Sequence, residues 1–242
     1  PLGNLLRRSN ICFKQAFVAK PEPIDTRQRL LEAATTLFAE NGFHRTTARD
    51  IAELAGVNLA AANYHFGSKR DLYLEVLRAQ FAVIRGAIAR SHSEVPAAAM
   101  LARAPRAKVE KLLAIRIRTM AEIIVGPPAG VHGALMQREM ADPSEALPLI
   151  VEEFIRPMRG ELMQLIAALG PGLDEESVER CANSIIGQII FYRFCRPAVL
   201  KMLGRDEFPR GAGQAIAEHV IPFTIGGIER RARARKVKSS AH

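Results

Sequence analysis

The sequence predicts an all-α protein, with an N-terminal domain of three short helices followed by a larger C-terminal helical domain. Two observations support this prediction. Apolar residues such as Leu30, Ala34 and Phe38 recur at three- and four-residue spacing, which is the pattern of a helix with one buried face. Residues that cap helices stand directly before several of these segments. No segment shows a convincing strand pattern, and no internal repeat is present.

The first helix is predicted to begin at Asp25, whose carboxylate can accept a hydrogen bond from the first turn. Asn41–Gly42 provides a C-terminal stop, because both residues tolerate the left-handed conformation that ends helices. Ser68 and Asp71 form a capping box that opens a longer helix. We place the N-terminal domain at residues 25–75.

Two further helices lie between these segments and are joined by a tight turn. Thr47 and Asp50 have capping-box spacing and open the second helix, which Gly56 ends. Asn58 caps the third helix, which stops at Gly67. The short "AGVN" connection has the length and glycine placement of a helix-turn-helix.

Longer helices are predicted in the C-terminal domain, residues 76–232, after a loop at 91–106. We expect them over 109–125, from about 131, over 142–170, over 174–195 and over 211–233. Asp142 and Pro143 are typical of a helix start. Pro148 and Pro157 predict bends in that helix or a broken early section, and Pro222 predicts an interruption of the last helix.

The net charge of +9 is concentrated at the two ends of the chain. Residues 1–24 carry +3, residues 229–242 carry +5, and only +1 remains between them. We interpret 1–24 as a basic arm that is expected to be disordered and 233–242 as a basic C-terminal tail. Such ends bind phosphate through counterion release, but they are equally typical of solubilising termini.

The composition indicates a reduced cytoplasmic protein with no membrane segment. No apolar run reaches the roughly 18 residues that a membrane helix needs. The odd number of cysteines without metal-type spacing fits buried thiols, at Cys12, Cys181 and Cys195.

The sequence offers no support for an enzyme, a cofactor or a metal site. Glu152 and Glu153 are adjacent, so on a helix they point to different faces and cannot act as an acid/base pair. His132 and His219 have no cysteine or carboxylate at ligand spacing. No phosphate-binding glycine loop or nucleophile elbow is present.

The third helix, "LAAANYHF", is predicted to read DNA in the major groove. Its alanines at 60–62 allow close approach of the backbone, and their methyl groups suit thymine methyls. Asn63 can pair with an adenine edge, while Arg49 can reach a guanine or the backbone. Tyr64, His65 and Lys69 occupy positions suited to phosphate contacts. The alternative is a purely structural three-helix unit.

The run "TRQRLLEAATTLFAENGFHRTTARDIAELAGVNLAAANYHFGSKRDLYLEVL" resembles the DNA-binding domain of the TetR family of bacterial regulators. Asn63 departs from that family, in which many members carry an aromatic residue there. The resemblance implies DNA contacts at Thr47, Arg49, Leu59, Ala60, Ala61, Tyr64, His65 and Lys69.

The C-terminal segments "QREMADPSEALPLIVEEFIRPM" and "SIIGQIIFYRFCRPAVL" resemble the CecR-type branch of the same family. That branch joins the DNA-binding domain to a helical domain for effector binding and dimerisation. The resemblance implies a homodimeric repressor, released from a palindromic operator on double-stranded DNA by a small-molecule effector whose identity the sequence does not reveal.

An apolar effector pocket is predicted where methionines and aromatic residues cluster, because flexible sulfur-containing side chains suit variable ligands. The candidate lining residues are Met120, His132, Met136, Phe154, Met158, Phe191 and Phe194. His132, Arg138, Glu139 and Arg193 are candidate polar anchors. The alternative is that the methionines fill gaps in a core and that the charged residues are solvated or form ion pairs.

The helix after Asp174 has an apolar stripe that is wider than one buried face requires. The helix resembles the dimer helix of the TetR family, which implies that this stripe forms a dimer interface in a four-helix bundle with the final helix and the same two helices of a second chain. Its members are Ile185, Ile186, Ile189 and Ile190. The alternative is a central core helix.

Two other functions remain open. The chain can be a weakly specific architectural DNA binder driven by its basic ends, which predicts steep salt dependence and little sequence preference. It can also be a ligand-binding helical protein with a relic DNA-binding domain, which predicts ligand-induced stabilisation without duplex binding.

Overall fold

The computed structural model describes residues 25–90, 95–126 and 130–239, and only the backbone of 130–132 and 236–239. Regular structure in these residues is entirely helical, which confirms the predicted all-α class. The α-helices are α1 Thr26–Arg45, α2 Ala48–Leu54, α3 Leu59–Phe66, α4 Lys69–Arg90, α5 Ala98–Leu101, α6 Arg106–Val125, α7 Gly130–Ala141, α8 Leu147–Ile150, α9 Arg156–Leu169, α10 Glu175–Phe194, α11 Arg196–Met202 and α12 Ala212–Ser239.

Two apolar cores organise these helices. The first lies among α1–α4 and also takes up Leu135 from α7 and Ile150 from α8, which are 2% and 0% exposed. The second lies among α5, α6, α9, α10 and α12. Because α7 and α8 pack against the first core, the N-terminal helices share their interior with the C-terminal part. The boundary predicted after residue 75 falls within α4, which runs without interruption from Lys69 to Arg90.

The helix caps predicted at Asp25, Thr47, Asn58 and Asp174 are confirmed. Asp25, Asn58 and Asp174 each accept a hydrogen bond from a backbone N–H two or three residues later. Thr47 forms the complete capping box with its partner three residues on. Gly42 lies inside α1 with φ of 80°, so the helix is broken at the predicted "NG" stop.

The predicted helix start at Asp142 is wrong, because α8 begins at Leu147. The segment 142–146 is instead hydrogen-bonded to α7. The backbone N–H and the hydroxyl of Ser144 both donate to Oε1 of Glu139, at 2.8 and 2.9 Å. These bonds hold the segment in a turn, which competes with the capping geometry that the local sequence favours.

Pro148 and Pro157 were predicted to bend or break the early part of this helix, and the structure divides that part into α8, a π-helical turn and α9. Each proline lies in the first turn of a new helix, where its missing N–H is tolerated. Between these two helices the chain forms a π-helical turn at Val151–Ile155. This wider turn carries Phe154, which lines the cavity described below.

The interruption predicted at Pro222 is also wrong, since α12 continues on both sides of it. Proline removes a single N–H donor, and the exposed position leaves its ring directed towards solvent. The helix includes the first part of the predicted basic tail, through Ser239, and Arg235 forms an ion pair with Asp174. The predicted basic arm, 1–24, and Cys12 lie outside the described residues.

Candidate DNA-binding surface and ligand cavity

Helices α2 and α3 are joined by a turn whose backbone fixes their relative orientation. Gly56 has φ of 64°, a conformation that other residues rarely adopt. The N–H of Val57 donates to the carbonyl of Ala52 at 3.0 Å, so the chain folds back directly after α2. Buried Ala62 and Phe66 attach α3 to the first core, so the prediction that Ala62 faces DNA together with Ala60 and Ala61 is wrong. The opposite face of α3 is therefore presented to solvent.

That outward face consists of small, apolar and polar side chains rather than charges. Leu59, Ala60, Asn63 and Tyr64 are exposed, with Ala61 and His65 half-buried at the edges. Tyr64 is 87% exposed, so its ring does not pack in the core of the protein. Its ring lies edge-on to the ring of His65, with centroids 5.4 Å apart. The structure thus brings all six α3 candidates onto one helix.

Thr47 and Arg49 lie at the start of α2, next to this surface. The Thr47 hydroxyl accepts a hydrogen bond from the N–H of Asp50 at 3.1 Å, and Asp50 Oδ2 accepts from the N–H of Thr47 at 2.9 Å. These hydrogen bonds lower the pKa of Asp50, with a smaller effect of the Arg49 charge. The exposed guanidinium of Arg49 is held on a capped, well-defined helix end.

Lys69 contacts the end of α1 within the protein, which the sequence did not predict. Its ammonium donates to the carbonyls of Phe43 and Thr46 at 3.0 and 3.1 Å and lies 4.1 Å from the Phe43 ring centroid. It therefore closes the end of α1. One N–H of the ammonium remains available, so a phosphate contact at Lys69 stays a prediction and requires that hydrogen.

A cavity of about 460 Å³ lies between α4, α6, α7, α9 and α10. Its wall is mostly apolar and falls within the size range of small-molecule sites. Several candidates from the sequence line it: Met120, Met136, Phe154, Met158, Arg193 and Phe194. Phe191 does not belong to this wall and is 47% exposed elsewhere on α10. The side chain of His132 lies outside the described part of the chain.

Arg138 and Glu139, predicted as polar anchors of the pocket, instead bind the N-terminal domain. Arg138 donates from Nε to the carbonyl of Ala39 at 2.6 Å and from Nη2 to the carbonyl of Glu40. Glu139 is 1% exposed and accepts a 2.7 Å hydrogen bond from the hydroxyl of Tyr73. This hydrogen bond and burial raise the pKa of Tyr73, with burial as the larger cause.

The four isoleucines assigned to a dimer surface lie inside the protomer. Ile185 and Ile189 are 1% and 0% exposed in the second core, so their assignment to a dimer interface is wrong. Ile186 and Ile190 line the cavity. The wide stripe has a physical reason other than dimerisation, because α10 packs against α6, α9 and α12 while also forming a cavity wall.

Parts of the cavity wall were not predicted. Arg116, Ile123 and Ile124 contribute from α6, and Val83 and Ile84 contribute from α4. The signal was present in α6, because these residues and Met120 recur at three- and four-residue spacing. Periodicity alone does not distinguish a face that packs against protein from one that surrounds a cavity.

The described residues hold no cluster of histidine, cysteine, aspartate or glutamate side chains that could bind a metal ion. Among the helices of the described ranges, none is both long and apolar enough to cross a bilayer.

Comparison with known proteins assigns both parts of the chain. Residues 30–76 match the family described as "Bacterial regulatory proteins, tetR family", and residues 109–228 match the "HTH-type transcriptional dual regulator CecR, C-terminal domain". The transcriptional dual regulator CecR of Shigella flexneri is 30% identical over 210 residues, which are 85% of this chain and 93% of that protein. The regulator BetI of Rhizobium meliloti is 30% identical over 165 residues, 68% of this chain and 75% of its own length.

Solved structures agree in fold. FadR from Bacillus subtilis, in complex with stearoyl-CoA, has a TM-score of 0.57 at 18% identity, covering 82% of this chain and 97% of that one. A tetR family regulator from Shewanella sp. PV-4 has a TM-score of 0.54 at 19% identity, covering 84% and 97%. The curated relatives are transcription regulators, in agreement with the prediction that the chain is not an enzyme. The chain belongs to the TetR family of bacterial DNA-binding transcription regulators, in its CecR-type branch.

Proposed function

We propose that the protein is a cytoplasmic homodimeric repressor that binds a palindromic operator through α3 and releases it when a small molecule occupies the cavity. The observation that carries the DNA-binding proposal is the exposure of Tyr64, 87%, on a helix whose other face is buried. Leu59, also exposed at 38%, lies on the same helix. Apolar and aromatic side chains held open to solvent at a helix-turn-helix favour an intermolecular contact.

Two copies are needed for a specific complex. One three-helix domain contacts few base pairs, whereas two domains about one helical turn of DNA apart read a palindrome with combined affinity. The proposed operator therefore contains two inverted half-sites.

The surface that we propose for dimerisation is the outer face of α10 and α12. Phe191 and Phe223 are 47% and 67% exposed there. Gly187 and Gly226 stand on the same two helices, and a methyl group added at either would meet no atom within 4 Å. Exposed aromatic rings beside small residues favour close packing against two helices of a second copy, as in a four-helix bundle.

Helix α7 supports the proposed coupling between ligand and DNA. Met136 and Met140 contribute to the cavity wall. Two residues of the same helix, Arg138 and Glu139, bind α1 and α4 in the N-terminal domain. A ligand that displaces the methionines therefore acts on a helix whose other contacts hold the DNA-binding domain. Release follows only if the ligand prefers the displaced state.

A second contact also connects the cavity with the N-terminal domain. Phe81 of α4 and Phe154 of the π-helical turn stack with centroids 4.2 Å apart and planes 7° apart. Phe154 lines the cavity, while Phe81 is 1% exposed in the first core. The aromatic pair thus connects the cavity wall to the helix that follows α3.

Selection from a random duplex pool at about 150 mM salt tests the proposal, since nonspecific phosphate binding is weakened there. We expect a palindromic consensus, loss of binding in Tyr64→Ala, and retention of binding in a control that lacks residues 1–24. Binding without a consensus that disappears as salt rises would instead support the architectural DNA binder. No duplex binding at any salt, together with ligand-induced stabilisation, would support a relic DNA-binding domain.

A further inference from the structure

Three arginines line the cavity, and their charges are not treated alike. Arg116, only 4% exposed, forms an ion pair with Glu161. Arg159 Nη2 lies 3.2 Å from Oε1 of Glu179. Arg193 has no ion pair with any carboxylate in the described ranges, and its buried Nε has no hydrogen-bond partner there. The cavity wall therefore contains one guanidinium that has no ion-pair partner among the described residues.

The surroundings of Arg193 disfavour the charged form of its guanidinium. Burial lowers the pKa of its guanidinium, and the nearby charge of Arg196 lowers it further. Glu122 also lines the cavity, but its side chain is exposed and it forms no ion pair with Arg193. An arginine stays charged at neutral pH, so the unpaired group remains a cation in an apolar wall.

The backbone of α7 is shaped to accommodate this group. A Cβ atom at Gly133 would lie 2.5 Å from Nη2 of Arg193 and 2.6 Å from its Cζ. No other residue type fits there unless the guanidinium moves. The absence of a side chain at position 133 therefore lets the planar group lie against α7 in the wall of the cavity.

A half-buried guanidinium whose buried Nε has no hydrogen-bond partner is unfavourable in the free protein, and a bidentate carboxylate is its strongest complement. We propose that the cavity binds an amphipathic carboxylate, with the anionic group paired to Arg193 and an apolar body against the methionines and Phe154. This assignment deepens the proposed function, on which it rests, by naming the chemical class of the effector. Arg116 and Arg159 keep their own carboxylates, so the ligand charge is directed to a single position.

Matched charged and neutral probes test the proposal on the full-length protein without DNA. Octanoate, decanoate and dodecanoate are compared with octanamide, decanamide and dodecanamide by calorimetric titration. For the best chain length we expect the carboxylate to bind at least tenfold more tightly than the amide. Arg193→Gln should remove that preference while amide affinity changes less than twofold. Arg210→Gln, at an exposed loop position with the same loss of charge, should keep the preference.

Thermal unfolding of the ligand-free variants separates ligand binding from a structural role. Because Arg193 has no partner to lose, ligand-free Arg193→Gln should melt at or above the wild-type temperature. Equal affinities of carboxylate and amide, a preference for the amide, no binding of any carboxylate, or a destabilised ligand-free Arg193→Gln would each overturn the proposal. These titrations contain no operator, so failure of DNA binding or of ligand-induced release leaves their outcome unchanged and is detected separately.

Discussion

The hydroxyl of Tyr73 donates a 2.7 Å hydrogen bond to Oε2 of Glu139, and this buried contact joins α4 of the DNA-binding domain to α7 of the ligand-binding domain. The other carboxylate oxygen accepts two hydrogen bonds from Ser144. A single side chain thereby fixes both the position of α7 and the turn that follows it.

Tyr73→Phe should lower the free energy of unfolding at pH 7 by about 1.5–3 kcal/mol, because it leaves a buried carboxylate oxygen without its donor. The raised pKa of Tyr73 also gives a pH signature. Its stabilisation is complete below the unfolded-state value of about 10 and decreases as pH rises further. Urea unfolding at neutral and alkaline pH should therefore show the wild type approaching the variant above about pH 10. A constant difference would contradict this role.

Arg49→Gln should weaken operator binding about tenfold and reduce the slope of log affinity against log salt by about 1, if the guanidinium contacts phosphate. Its exposure predicts an unchanged melting temperature. Fluorescence anisotropy with a labelled operator over a salt series measures both quantities. Arg205→Gln, which is exposed after α11, is the matched control and should behave as wild type. A loss of affinity with no change in salt slope would point to a base contact instead.

Lys69→Met should lower the free energy of unfolding by about 1.5–3 kcal/mol, because the carbonyls of Phe43 and Thr46 lose a charged donor. Operator affinity in this variant then reports stability as well as DNA contact. Lys201→Met, at an exposed position of α11, supplies the control for charge loss and should stay within about 0.5 kcal/mol of wild type. Chemical unfolding of the two variants tests this expectation, and equal stabilities would show that the hydrogen bonds of Lys69 to Phe43 and Thr46 do not stabilise the fold.

Phe223→Arg should convert a dimer into a monomer, because a charge would be buried between two copies of α12. Sedimentation velocity over a micromolar concentration range measures the change in mass. Met202 on α11 is 75% exposed, and Met202→Arg should remain dimeric. A dimer that persists in Phe223→Arg would exclude this face as the interface.

Local chemistry accounts for what the sequence predicted well. A cap such as Thr47 or Asn58 bonds to its own neighbouring backbone, so the signal lies within a few residues. The helix start predicted at Asp142 was wrong because Ser144, two residues later, donates its hydrogen bonds to the carboxylate of Glu139. That competition depends on how α7 packs and is not visible in the local pattern.

In the candidate site, too, local features could be predicted from the sequence and tertiary contacts could not. Exposure of Tyr64 could be predicted from its place on α3, but the burial of Ala62 could not, because an alanine suits a core as well as a surface that must come close to DNA. The stripe of α10 predicted burial correctly but not its partner, and Ile185 proved to be core rather than interface. An apolar period specifies that a face avoids water. Whether a core, a cavity or a second chain covers it depends on tertiary structure.

The contacts of Arg138 and Lys69 with the end of α1, called the joint below, have a consequence for how such proteins can diversify. Arg138 and Lys69 approach it from different helices, and both donate to backbone carbonyls, at residues 39, 40, 43 and 46. Every amino acid supplies such an acceptor, so the joint depends on the course of the backbone and not on the side chains there. DNA-binding domains with other recognition sequences can therefore be exchanged onto the same ligand-binding domain, provided that the turn at Gly42, the two cations, the Tyr73–Glu139 hydrogen bond and the shared apolar core are retained.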